Sequence, residues 1–159
     1  MTNLTIITLG SLKEKYLVDA VSEYKKRLSS YAKVDEINLK EEKIQDEDNE
    51  REIKNAIDIE GDKILSKIPD GAWVVALCVE GKQVDSIKLA QKIGEAVDST
   101  GKICMIIGSS HGLSDKVKNR ADFRWSVSEL TFPHQLMRVM LYEILYRSFS
   151  IRAGKKYHK

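Results

Sequence analysis

The chain has 159 residues, 42% hydrophobic and 31% charged, with only two prolines; this composition excludes disordered and low-complexity classes and suffices for one domain with a sizeable core. The net charge of +2 says little, but Asp35 to Asp62 carries 12 acids against 4 bases and Asp115 to Lys159 carries 10 bases against 4 acids. The C-terminal part is therefore suited to a polyanion. No run reaches the roughly 18 apolar residues of a membrane span and no basic leader opens the chain, which predicts a soluble, cytoplasmic protein with no membrane partner. Cys78 and Cys104 sit in apolar runs and read as core thiols, and no metal site is expected.

In chain order, Leu4 to Leu9 (LTIITL) reads as a strand ended by Gly10-Ser11. From Lys13 to Tyr31 the stripe Leu17, Val21, Tyr24, Leu28 and Tyr31 has helical spacing. Lys33 to Leu39 alternates like a half-exposed strand. Lys40 to Glu52 is a charged loop or fraying helix start. Ile53, Ile57, Ile64 and Ile68 mark a second helix with Gly61 as a weak point, and Pro69-Asp70-Gly71 is a turn. Trp73 to Val79 (WVVALCV) and Ile103 to Ile107 (ICMII) are continuous apolar runs, as expected of strands buried on both faces. Between them Ser86 to Val97 is helical, ending at Gly101. Gly108 to Ser114 is a loop, Ser114 caps a short helix, and Phe123 to Val127 alternates into a last strand. This alternation predicts an α/β fold, a mainly parallel sheet with helices on both faces, in one domain spanning 1–159.

Ligands of open α/β sheets bind beyond the carboxyl ends of the strands. Three loops lie there: Leu77 to Lys82, Gly108 to Gly112 and Val127 to Phe132. The second is rich in small residues but is neither a Walker A motif nor a GxGxxG fingerprint. In LTFPHQLMRVM, Pro133 suits the first helical position. The helix from His134 to Phe149 is apolar nearly all round and must be covered on most sides, which predicts a homodimer with this helix in the interface. His134 and Arg138 share one edge of it, and Glu143 and Arg147, which read as an ordinary ion pair, share the opposite one. The basic tail IRAGKKYHK ends in an aromatic and a His among cations, a composition that can grip RNA.

These stretches combine in a resemblance. LTFPHQLMRVMLYEILYRSFSIRAGKKYHK, with IIGSSHGLS and VALCVEGK upstream and LGSLKEKYLVDAVSEYKKRL near the start, resembles the RlmH family of SPOUT-class methyltransferases over essentially the whole chain. The resemblance implies a C-terminal trefoil knot, a homodimer, S-adenosylmethionine as methyl donor, and methylation at N3 of a pseudouridine in 23S rRNA on the assembled ribosome. It implies a cofactor site at Leu77, Gly108, Ser109, Val127, Ser128, Glu129, Leu130, Thr131 and Phe132. The catalytic candidates are His134, Arg138 and Arg147, shaping the pocket, with Tyr157 and His158 reaching the target nucleotide from either subunit; His158 is the candidate proton acceptor. Three positions depart from the usual family pattern: Ser109 replaces a glycine, Cys78 an aspartate and Lys156 a proline. Ser109 is tolerable only if its φ is negative. Two other readings are a non-catalytic RNA-binding protein of this fold and a transfer-RNA methyltransferase.

Overall fold

A computed structural model describes all residues, 1–159. The first half comprises β1 (Thr2–Leu9), α1 (Lys15–Leu28), β2 (Ala32–Leu39) and α2 (Glu50–Lys67). The second comprises β3 (Trp73–Lys82), α3 (Ser86–Ser99), β4 (Lys102–Ile106), α4 (Asp115–Arg120), β5 (Phe123–Trp125) and α5 (His134–Arg152). All strand pairings are parallel, in the order β2-β1-β4-β3-β5.

The apolar strands serve two cores because successive side chains point to opposite faces. Leu4 and Ile6 of β1, Val75 of β3 and Met105 of β4 pack with α1, α3 and α5 through Val21, Ile93 and Leu141. Ile7, Val74, Cys104 and Ile106 pack on the other face with α2 and α4 through Ile64 and Val117. Cys104 is fully buried, and burial pushes its thiol up to about 12. Cys78 is only half-buried, and neither cysteine is in a disulfide.

Helix starts follow local chemistry. The Asn49 side chain accepts from the backbone N–H groups of Arg51 and Glu52, so α2 begins with acidic residues facing its positive end. Asp85 and Ser114 cap α3 and α4 in the same way. Pro133 stands one position earlier than predicted, at the N-cap of α5, with ψ at 136° before the helix begins. The buried face of α2 is Ala56, Glu60, Gly61 and Ile64, so of the predicted isoleucine stripe only Ile64 is buried: Ile53 and Ile57 are partly buried and Ile68 caps the helix end. Gly61 is not a weak point: a Cβ there would lie 2.2 Å from Ser114 Oγ, so the missing side chain lets α2 seat against the start of α4.

Two strand ends differ from expectation. β3 continues to Lys82, and Trp125 pairs with both Leu77 and Lys82, leaving Cys78 to Gly81 bulged out of the ladder. β5 stops at Trp125 rather than Val127, and beyond it Ser126 N–H still donates to Lys82 O at the end of β3, at 3.1 Å. Gly81 permits this close approach: a Cβ there would lie 2.6 Å from the Trp125 carbonyl carbon and 2.8 Å from Ser126 N. No helix is long and apolar enough to cross a membrane.

Candidate active site

The carboxyl ends of β3 and β4 and the chain leaving β5 converge on one cavity of about 510 Å³, within the size range of small-molecule sites. The structure brings eight of the nine predicted cofactor residues to its wall: Leu77 from β3, Gly108 and Ser109 after β4, and Val127, Ser128, Leu130, Thr131 and Phe132 after β5. Glu129 does not line it. His134 and Met137 close the cavity from the first turn of α5.

The loop after β4 is a tight turn. Gly112 N–H donates to Ser109 O at 2.9 Å, and Gly112 takes a φ of +89°, which favours glycine. Gly108 lies so close to this turn that a Cβ would meet Gly112 O at 2.6 Å. No non-glycine residue has a positive φ, so Ser109 carries its side chain without backbone strain. In the third loop Ser128 Oγ accepts from Leu130 N–H at 3.0 Å, and Leu130 stands 72% exposed at the rim. Small residues, backbone groups and the apolar side chains of Leu77, Ile107 and Phe132 form most of the wall, and Glu80 at its edge is paired with Lys118. That pairing holds the Glu80 carboxyl below its ordinary range. Such a wall fits a flat heterocycle read by backbone groups better than a polyphosphate, because its Lys118 is already paired with Glu80 and no cluster of free cations faces it.

The remaining candidates separate into two places. Arg138 is not on the cavity wall. It is 3% exposed and donates through Nη2 to the carbonyls of Leu9 and of Gly10, the latter at 2.6 Å, tying α5 to the carboxyl end of β1. Burial lowers its pKa from the ordinary guanidinium value, opposed by the nearby Glu36 and Glu41 carboxylates.

Arg147, Tyr157 and His158 cluster together, 13 residues along α5 from His134, which is about 20 Å at the helical rise. Arg147 pairs with both carboxylate oxygens of Glu143, at 2.9 and 3.3 Å. Tyr157 O–H donates to Glu143 Oε1 at 2.8 Å, and that bond pushes its pKa up to about 12. The Arg147 guanidinium lies 4.8 Å from the Tyr157 ring centroid, and its Nη1 is 3.1 Å from His158 Nδ1. A guanidinium only donates, so Nδ1 accepts here, and a neutral His158 carries its hydrogen on Nε2. Glu143, which sequence reasoning took as half of an ordinary ion pair, thus organises the whole cluster. The tail is docked, not frayed: Tyr157 meets Tyr146 edge-on at 4.9 Å. No group of three His, Cys, Asp or Glu side chains is placed to hold a metal.

With this geometry established, comparison with known proteins is decisive. A family model described as "Predicted SPOUT methyltransferase" matches residues 2–158. The chain belongs to the SPOUT methyltransferase family. Among curated relatives, the ribosomal RNA large subunit methyltransferase H of Bacillus pumilus is 49% identical, with 99% of each chain covered. The protein of that name from Clostridioides difficile is 45% identical, with 99% of each covered, and that from Caldicellulosiruptor bescii is 46% identical, with 98% of this chain and 99% of that one covered. Solved SPOUT-like structures agree at the level of fold alone. A probable methylase family protein from Haemophilus influenzae superposes with a TM-score of 0.54 at 13% identity, covering 99% of this chain and 71% of that one. The tRNA (m1G37) methyltransferase from Aquifex aeolicus gives 0.50 at 16% identity, covering 92% of this chain and 69% of that one. The RlmH and SPOUT resemblance read from the sequence is thereby shown, and the chain is a methyltransferase of this family.

Proposed function

We propose that the chain methylates N3 of a pseudouridine in 23S rRNA, using S-adenosylmethionine, on the assembled ribosome, as a cytoplasmic homodimer of one knotted SPOUT domain spanning 1–159. The observation that carries this reading is the convergence of three strand ends on one cavity with small-residue and backbone walls. The full-length relatives named as large-subunit rRNA methyltransferases support the substrate. The SPOUT family match over residues 2–158 supports the knot.

Leu77, Gly108, Ser109 and the segment Val127 to Phe132 would hold the cofactor, which supplies a methyl group activated on a sulfonium. The turn at Ser109 and Gly112 keeps backbone groups fixed, so positioning rather than covalent chemistry lowers the barrier. His134 closes the cavity where the target base must enter. The Arg147 cation stabilises the anion that develops as N3 gives up its proton, which passes to solvent water or, once Arg147 has let go, to His158 Nδ1. With Nδ1 engaged by Arg147, His158 offers Nε2–H as a donor to a base carbonyl; the proton-accepting role predicted from sequence would require Arg147 to release it first.

The separation of about 20 Å between His134 and Arg147 implies that one protomer does not complete the site. Leu136, Met140, Glu143 and Arg147 follow one another at spacings of 4, 3 and 4 along α5, and none of them is buried. Two such helices packed antiparallel about a twofold near Met140 would set the partner's Arg147 beside His134. The site is then shared between subunits.

Subunit mixing tests this. Gly108→Val blocks the cofactor loop and His158→Ala removes the tail group, so each homodimer is expected to be nearly inactive. After denaturation and joint refolding at equal amounts, half the dimers are mixed and each has one complete site, so activity returns to about one quarter of wild type. Recovery near zero, with mixed dimers demonstrated by mass, would mean that the tail serves its own subunit's cavity.

A further inference from the structure

Glu60 is a buried carboxylate that the methyl-transfer reading leaves without a task. It sits on α2 at 3% exposure, beneath the loop after β4. Its Oε2 accepts from Glu42 N–H at 2.9 Å and its Oε1 from the Ser109 hydroxyl at 3.2 Å. Ser109 Oγ in turn accepts from His111 N–H at 3.4 Å. One carboxylate thus joins the acidic segment after β2 to a residue on the cavity wall. Two further contacts run parallel to it: Lys63 Nζ lies 2.5 Å from Glu42 Oε1, and His111 Nε2 lies 2.8 Å from Glu47 Oε2. Gly61, next in the chain, seats α2 against Ser114 just beyond the same loop.

We propose that Glu60 is a positioning residue for the methyl-donor loop, fixing Ser109 and the turn to Gly112 in the cofactor-receiving conformation by anchoring them to the acidic segment at Glu42. This rests on the cofactor site proposed above. A carboxylate is an expensive core residue, since burial disfavours its charged form. Glu60 bears that cost: burial raises its pKa, and the Glu42 and Ser109 hydrogen bonds oppose the shift. An apolar residue of similar size would avoid that cost but leave the Glu42 N–H and the Ser109 hydroxyl without their acceptor. These two partners lie 18 and 49 residues away in sequence. The acidic run from Asp35 to Asp62 thereby gains a specific use.

The test is calorimetric titration of the dimer with S-adenosylmethionine, together with steady-state kinetics on ribosomes. Glu60→Leu keeps the volume and removes both hydrogen bonds. Its expected effect is a rise of about tenfold in cofactor Kd and KM, the scale of one lost charge-assisted bond, with kcat at saturating cofactor nearly unchanged. Glu60→Gln keeps an acceptor for Glu42 and a partner for Ser109, and is expected to restore binding to within about threefold. If Glu60→Leu does not fold, Ser109→Ala severs only the loop arm and is expected to weaken cofactor binding in the same direction; a wild-type Kd in that variant would overturn the proposal. A folded Glu60→Leu dimer with wild-type Kd, or a loss confined to kcat, overturns the proposal. Wild-type protein that binds no S-adenosylmethionine defeats the cofactor reading itself, a different result from variants that bind as well as wild type does.

Discussion

Arg147→Ala is expected to lower kcat/KM on ribosomes by about a hundredfold, the scale of losing one preorganised charged donor, while cofactor affinity and dimer mass stay near wild type. Arg147 holds His158 through Nη1 and lies over the Tyr157 ring, so its loss removes the cation and frees His158. Glu143 keeps its bond from Tyr157, which limits the structural damage. Arg147→Lys is expected to recover only part of the activity, because an ammonium cannot grip both Glu143 oxygens and His158 in one plane. Sedimentation of the variant decides between two roles. A dimer with little activity places Arg147 at the reacting base; a monomer places it in the interface alone.

Gly81→Ala is expected to destabilise the fold by about 3 kcal/mol or more, the upper range for a core forced to accept an extra carbon. The added Cβ meets three backbone atoms, of Trp125, Arg124 and Ser126, at 2.6 to 2.8 Å. None of these is the end of a flexible side chain, so the strain can be relieved only by moving the crossing chain. For a chain of this length the loss corresponds to a melting temperature lower by roughly 6–12 °C. Urea unfolding read by tryptophan fluorescence suits the measurement, because Trp125 is at the crossing and 3% exposed. A variant as stable as wild type would mean that the chain does not pass tightly over β3.

The crossing also marks the limit of what the sequence discloses. WVVALCV and ICMII are legible as central strands because both their faces are buried, which leaves no polar alternation to confuse with anything else. The loops beyond the carboxyl side of the sheet are therefore legible too, and with them most of the cavity wall. The continuation of β3 through Glu80-Gly81-Lys82 was hidden, since the bulge and its glycine carry the signature of a loop. The early end of β5 is hidden by the same event: Val127 continues the alternation of FRWSV, but the ladder with β3 is already broken by the bulge opposite Trp125.

Long-range polar partners were the other blind spot. Arg138 shares a helix edge with His134, so spacing alone puts them together. The structure separates them because the Leu9 and Gly10 carbonyls, more than 120 residues away, claim the guanidinium. Glu60 reads as one acid among twelve in its segment, and only its burial and its two partners set it apart. Glu143 differs: its i, i+4 pair with Arg147 was visible, but the Tyr157 bond that makes it the centre of the tail cluster depends on how the last residues fold back. Hydrophobic periodicity reports which face of an element is buried; it does not report which buried polar groups meet.

The most direct measurement is transfer of tritium from labelled S-adenosylmethionine to assembled ribosomes that contain pseudouridine but lack the methyl mark, with separated subunits and free transfer RNA alongside. The account predicts label in 23S rRNA, at N3 of a pseudouridine, with assembled ribosomes far better substrates than either alternative. Label in transfer RNA instead, or none in any substrate from a folded dimer that binds the cofactor, would contradict it.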